Sequence, residues 1–389
     1  MKALVLTFDR LAIRFLGCYG NNWVETPGFD FVASESVLFE NHYIENVNTD
    51  SANHPWWSGR RSFDNDERLR ESKPSPFEIL KSSGVSLHAV VEDEANAPKF
   101  PLQNFEHVVE VASSEELFDC SMKEFDLLEK EDSWLMWVKS KGIAFPCFPD
   151  DESLRLFLED DEIEAAQENV ARFAQWHNEN RQQVSFNDVF STDDERMLHL
   201  VYAACVYELD LQLGMLWERL SQQREEDLLM VLAAARGEWL GEPLPDSHPE
   251  CKICESVIHT PLMVFYPNIR KSVRLPQFVQ PVDFLPTIFD WFGVSSACEF
   301  EGVSFLDISR NSSPSHAHYF CHDDGQCLSV GSKDFFLRTH GDSFGEDDME
   351  SAELYHSPED IWLVNDVGNQ WPKRRKELWQ ILRKLAGNN

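Results

Sequence analysis

The sequence predicts an α/β protein: a doubly wound, mostly parallel sheet flanked by helices, with a smaller α+β subdomain at the C-terminal end. Three observations lead there. Apolar runs of strand length alternate with longer amphipathic stretches of helix length over most of the chain, the pattern of strands joined by crossover helices. The first run, Ala3 to Thr7, leads into Asp9, and a buried parallel strand presents such a side chain at the carboxyl edge, where open α/β sheets bind ligands. The 389 residues, 42% hydrophobic and 12% aromatic, suffice for a large core and a companion subdomain.

After the opening strand, a loop rich in Gly, Asn and Pro runs from Gly17 to Pro27; Phe29 to Ser36 then reads as a short helix and Val37 to Tyr43 as a strand. Further strands are predicted at Ser86 to Val91, His107 to Val111, Trp134 to Val138 and Leu228 to Ala233. The polar, Pro-containing stretches Arg61 to Pro76 and Glu92 to Pro101 read as surface loops. Two helices carry the clearest periodicity. Asp161 to Asn180 opens with acidic residues suited to the positive end of the helix dipole and places Ile163, Ala166, Val170, Phe173 and Ala174 on one face. Ser191 to Gln222 opens with the cap candidate STDDE and carries Met197, Leu200, Val201, Ala204 and Cys205 on its inner stripe.

These elements define one α/β domain over residues 1–294. The texture changes in residues 295–389. Short strands at His318 to Cys321, Cys327 to Val330 and Asp334 to Thr339 precede a terminal helix, Pro372 to Ala386, and the acidic GDSFGEDDMES reads as a solvated hairpin loop. The terminal helix carries five Lys or Arg from Lys373 to Arg383; its Leu378, Ile381, Leu382 and Leu385 face is expected to pack on the core while the cations pair with acidic neighbours.

Charge narrows the functions available. With 68 acidic and 34 basic side chains the formal net charge is -34, which repels phosphate backbones and anionic bilayers and excludes nucleic-acid and membrane-surface binding as expectations. No run approaches the ~18 apolar residues that span a bilayer. The opening MKALVLTFDR is too short in its apolar part for a signal peptide, so a cytoplasmic location is expected. Nine cysteines, odd in number and scattered, predict free thiols rather than a disulfide framework. Cys251 and Cys254 form the one close pair, and Cys321, His322 and Cys327 are a loose second half for a zinc knuckle.

Several stretches, in the same order, resemble the sulfatases of the alkaline-phosphatase-like superfamily. LVLTFDRLAIRFLGCYGNNWVETPGFDFVASESVLFENHYIE is similar to the family's opening strand, its Leu-Gly-Cys-Tyr-Gly loop, its Thr-Pro turn and the helix and strand that follow. YAACVYELDLQLG resembles the family helix with Asp and Gly spaced as Asp210 and Gly214 are. TPLMVFYPN through VDFLPTIFDWFGV resembles its Val-Pro-Leu strand and Leu-Pro-Thr helix, and AELYHSPEDIWLVNDV its C-terminal segment. The resemblance implies a sulfuric-ester-hydrolase scaffold, with a nucleophile held against a divalent cation by Asp, Asn and His and an ester anion neutralised by Lys, His and Arg.

Position by position, the resemblance also implies that much of this chemistry is replaced. The Asp pair ending strand one is here Asp9 followed by Arg10. The nucleophile motif survives at its end as Ser58-Gly59-Arg60; counting back places Thr49 at the nucleophile, Ser51 at the Pro and Asn53 at the Arg. Thr49 is either a threonine nucleophile or a loop residue in the turn-like NTDSANHP. Where the family strand ends on His and Asp-Pro-His, the chain reads Trp137 through Ala144, whose Lys139 and Lys141 are either anion ligands or solvated lysines. In VLAAARGEWLGEP, Gly237, Glu238, Leu240, Gly241 and Glu242 are kept, but Ala235 and Arg236 stand at the metal-ligand positions; alanine cannot ligate and arginine opposes a cation. Lys252 lies near the family's anion-binding lysine, and His259 stands at its arginine.

Arg10 and Arg236 are thus expected to stand in for the cation, by pairing with Asp9 or by holding a small anion. The anion-binding candidates are Arg10, Arg60, Lys139, Arg236, Lys252 and His259, with Asp9 the one retained metal position. Besides a purely structural subunit whose surface, not its cleft, matters, two functions follow. One is a pseudoenzyme without metal that binds a small anionic ligand or a protein partner; the other is a divergent sulfo- or phosphoesterase using Thr49 with a calcium or magnesium ion.

Overall fold

The computed structural model describes residues 1–48, 53–61, 75–92, 101–128, 130–179, 186–222, 227–242, 253–267, 272–295, 299–311, 316, 318–322, 327–340, 347–357 and 359–385. Its main sheet has eight strands: β1 (Lys2–Arg10), β2 (Val37–His42), β3 (Ser86–Glu92), β4 (His107–Val111), β5 (Trp134–Gly142), β6 (Leu228–Ala234), β7 (Leu262–Phe265) and β8 (Val273–Val279), in the spatial order β4-β3-β5-β1-β6-β7-β2-β8. Only β7 runs antiparallel to its neighbours. The first strand sits in the middle, parallel to β5 on one side and β6 on the other. A strand so placed has both faces covered, which is why it reads as a nearly continuous apolar run.

Alternate side chains of β1 enter two different cores. Leu4, Leu6 and Phe8 pack with Phe29, Val32, Tyr202, Val206 and Leu213. Ala3 and Val5 pack with Leu135, Trp137, Leu285 and Ile288 on the other face. The first layer is built by α1 (Pro27–Glu35), α3 (Ser114–Leu128) and the 31-residue α5 (Thr192–Gln222); the second holds α2 (His54–Ser58) and α6 (Phe284–Phe292). Helix α4 (Ile163–Glu179) joins α5 in a third cluster through Ala166, Val170 and Phe173 with Val201 and Ala204. The expected stripe of α5 is therefore only one of two; Tyr202, Leu209 and Leu216 face the sheet.

The smaller sheet is antiparallel, in the order β12-β11-β10-β9, from β9 (Tyr319–His322), β10 (Cys327–Gly331), β11 (Phe335–His340) and β12 (Glu353–His356). Helix α7 (Pro372–Leu385) lays Leu378, Trp379 and Leu382 on Phe320, Val330, Leu337 and Leu354. Of its cations, Arg374 pairs with an acidic neighbour as expected, Glu377 of the same helix at 2.7 Å, whereas Arg375 donates to the Glu350 carbonyl. The loops expected at Arg61 to Pro76 and Glu92 to Pro101 lie largely outside the described residues. Every described cysteine is a free thiol. Among the described residues no helix is long and apolar enough to cross a membrane.

Helices α1 and α5 are joined by one carboxylate. Asp210 of α5 accepts from the backbone N–H groups of Gly28 (2.9 Å) and Phe29 (2.7 Å), orphan donors at the start of α1. The approach is so close that a Cβ on Gly28 would lie 2.3 Å from the Asp210 carbonyl oxygen. Burial raises the Asp210 carboxyl to about 6 against an ordinary 3.8, even though the two N–H groups pull it down. An acid that holds its proton better when folded contributes stability that is present at low pH and lost as pH rises through the folded value. Unfolding free energy of Asp210→Asn, followed by urea melts, is accordingly expected to lack the decline between pH 3.8 and about 6, and below pH 3.8 to lie under wild type by about 1–3 kcal/mol, because the amide nitrogen leaves one of the two buried N–H groups without an acceptor.

Candidate functional site

The carboxyl ends of β1, β5 and β6 lie side by side. Register fixes this: Thr7 is opposite Lys139 on one side, and Phe8 is opposite Ala234 on the other. Pairing continues past β1, with Leu11 N–H donating to the Arg236 carbonyl at 2.9 Å and Ile143 N–H to the Arg10 carbonyl at 2.8 Å. The strand ends meet so closely at Gly142, φ +64°, that a Cβ there would sit 2.0 Å from the Arg10 carbonyl oxygen.

Successive side chains of a strand point to opposite faces. Asp9 therefore turns toward the face that carries Trp56 and Trp137, and Arg10 toward the face of Phe8 and Phe145. This separates two ionic clusters. On the first face Asp9, 2% exposed, receives the Lys139 ammonium on Oδ2 and the Asn53 amide on Oδ1 at 3.2 Å. Lys139 is itself 4% exposed, so the expectation of a solvated lysine is corrected: its stem lies inside the sheet layer and its charge is held by Asp9. The more exposed Lys141 is the one at the rim, 3.9 Å from Glu92.

On the second face the expected pairing of Arg10 and Arg236 with Asp9 is also corrected. Both guanidinium groups converge instead on Glu238, which is 3% exposed: Arg10 Nη1 lies 3.3 Å from one carboxylate oxygen and Arg236 Nη2 3.9 Å from the other. Arg236 also donates to the Val47 carbonyl at 3.2 Å. Four residues on, Arg14 forms an ion pair with Glu242, and burial lowers its guanidinium to about 10. The segment Gly237 to Glu242 is thus a clamp whose two carboxylates meet two arginines of the β1 extension at the same spacing. Glu238 and Asn53 were not assigned roles from sequence; the matching spacings Arg10/Arg14 and Glu238/Glu242, with strand alternation, carried the signal for the first.

The remaining candidates disperse. Arg60 is half-buried, and its backbone, not its side chain, is tied to Ser58. Its neighbour Arg61 is the anchored one, donating to Glu45 at 3.0 Å and Gln280 at 2.8 Å over the Phe320 ring. His259 stacks on Tyr43 with ring centroids 4.7 Å apart and has both nitrogens engaged, with Glu255 at 3.0 Å and the Glu40 carbonyl at 2.7 Å. Burial opposes its charge, but Glu255 holds the imidazole above its ordinary pKa. It is a junction between strands rather than the anion ligand expected. Thr49 and Lys252 lie outside the described residues.

A hard divalent cation takes six or more oxygen ligands, several of them carboxylates. Among the described residues no three His, Cys, Asp or Glu side chains converge to hold a metal; Cys251 of the loose zinc-knuckle candidate lies outside the described residues. Both Asp9 oxygens are taken, Glu238 faces two guanidinium groups, and Ala235 offers no ligand atom. The residues described do not fit a divalent ion. What the edge does offer is a narrow cleft of about 10 Å³ beside Arg10 and Glu238, lined by Phe145, Phe173, Ala174 and His177.

The sulfatase family model matches residues 3–294. Arylsulfatase K of Mus musculus is 25% identical over 209 residues, 51% of this chain and 37% of that protein; arylsulfatase K of Rattus norvegicus is 23% identical over 141 residues, 34% of this chain and 25% of that protein. The chain thus spans well under half the length of these curated relatives. Among solved structures, one determined in complex with its substrate D-glucosamine-2-N,6-O-disulfate superposes with a TM-score of 0.72 at 18% identity, over 100% of this chain and 98% of that one. Phosphonate monoester hydrolase of Agrobacterium radiobacter gives 0.71 at 14% identity, over 99% and 96%. At these identities the structural likeness establishes the fold.

The Glu238 cluster sets a measurable difference between buried and rim charges. Glu238→Gln is expected to lower unfolding free energy in urea by about 2–3 kcal/mol, since it leaves two part-buried guanidinium groups short of their counter-charge. Lys141→Ala, at the exposed rim, is expected to cost less than about 1 kcal/mol.

Proposed function

This chain belongs to the sulfatase family, and from that membership we propose that it serves as a binding scaffold for a small anion rather than as a sulfuric-ester hydrolase. The observation that carries the reading is the double arginine on Glu238. Arg10 and Arg236 stand where the family resemblance places metal ligands, and they form a cationic edge around a carboxylate too buried to coordinate an incoming ion. Arg10 keeps part of its guanidinium at the mouth of the cleft beside His177, with Phe145 and Phe173 as apolar walls.

That combination suits a small oxyanion approaching from solvent: the planar guanidinium binds its oxygens in pairs, and the rings flank the contact. The net charge of -34 opposes capture at long range, so recognition is made at contact distance, within a Debye length of the site. The disulfated substrate held by one structural neighbour supports an oxyanion as the ligand class. In this reading the chain works in the cytoplasm, away from nucleic acid and membranes.

Turnover of aryl sulfate and aryl phosphate esters, with and without calcium, magnesium or manganese, is expected to stay at the level of heat-denatured protein. Turnover lost in Thr49→Ala would overturn the reading in favour of an intrinsic esterase. In thermal unfolding, sulfate or phosphate at ten times its Kd is expected to add about 1.4 kcal/mol of stability, a gain absent in Arg10→Met.

A further inference from the structure

We propose that the Lys139 ammonium takes the place of the divalent cation against Asp9, so that this sheet edge is held together without metal. Strand register sets up the contact. Lys139 is opposite Thr7 on the neighbouring parallel strand, and Thr7 and Asp9 share a face. Two residues of strand advance about 6.6 Å, which the four-carbon stem of a lysine spans. The ammonium is thus delivered to the Asp9 carboxylate by backbone pairing alone, from a central strand rather than a loop.

Charge and hydrogen bonding agree with the geometry. A carboxylate as buried as Asp9 is costly unless a cation and donors meet it. Lys139 supplies the charge on Oδ2, and Asn53, at the end of the loop that precedes α2, supplies a donor to Oδ1. The trio Asp9, Lys139 and Asn53 then has no net charge to attract a second cation. Arg10 and Arg236 repeat the arrangement on the other face around Glu238. Each buried carboxylate at the edge carries its own counter-ion in the chain.

This inference rests on the reading of the chain as a member that does not hydrolyse esters through a metal, but the two fail separately. Turnover without bound metal would sink the binding-scaffold reading and leave this one standing; bound metal without turnover would do the reverse. The test uses the full chain, dialysed against calcium, magnesium and manganese in turn and analysed for bound metal. Wild type is expected to hold no stoichiometric ion and to show the same Tm in EDTA as in each metal. Lys139→Met is expected to lose about 5 °C in Tm, and Asp9→Asn combined with Lys139→Met to regain most of it. Stoichiometric metal whose removal lowers the wild-type Tm would overturn the proposal, as would a double variant no more stable than Lys139→Met. If Lys139→Met does not fold, the wild-type metal measurement still decides.

Discussion

A carboxylate at the end of the central strand, almost wholly removed from water, is the constraint on which the rest of this edge depends. Asp9 cannot be left alone there, because desolvation of an unpaired charge costs several kcal/mol. Its partner has to come from an adjacent element at contact distance, and β5 is the one whose register brings a long side chain to the right place. The position of Lys139 is therefore a consequence of sheet order. Trp137, two residues earlier on the same face, is fully buried and donates to Thr7 Oγ1 at 3.0 Å, which locks the two strands just below the ion pair.

Strand alternation then divides the edge. Because Arg10 follows Asp9, it cannot reach the same side of the sheet, and its charge is met by Glu238 on the opposite face. The edge consequently holds two separate ionic clusters, Asp9 with Lys139 on one face and Glu238 with Arg10 and Arg236 on the other. In the second cluster, Arg10 and Glu238 line a cleft with Phe145, Phe173, Ala174 and His177.

The sequence made the scaffold legible where local chemistry and tertiary context agree. The strand at Leu228 to Ala234 is apolar and buried throughout, and α5 opens on the expected cap, with Ser191 accepting from Asp194 N–H and the Asp194 carboxylate accepting from Ser191 N–H. Elements were missed where the two disagree or the signal was passed over. Strand β8 contains Pro276, which is tolerated because β8 is an edge strand. Helix α3 does carry a start signal, Ser113 accepting from Glu116 N–H and the Glu116 carboxylate accepting from Ala112 N–H. The last residues of β5, Lys139 to Gly142, lie beyond the strand end expected at Val138, because one lysine hides in the sheet through a partner that is 130 positions away. Sequence pattern names residue types; it does not pair charges across strands.

The stretches that resemble the family divide by physical role. Gly28, Asp210 and Gly214 serve the approach of two helices, since the Gly28 backbone lies under Asp210 and close to Gly214; any bulk or lost acceptor there would move a layer of the fold. Gly142 serves the contact of two strand ends in the same way. Positions such as 10, 235 and 236 have a different tolerance, because a side chain facing the edge can be exchanged for another as long as total charge is met by a neighbour. Alanine at 235 is buried against the core without a polar atom to satisfy, while arginines at 10 and 236 share Glu238. The backbone-contact positions hold the architecture, and the edge positions carry Arg10, Ala235 and Arg236 without altering the strand pairing around them.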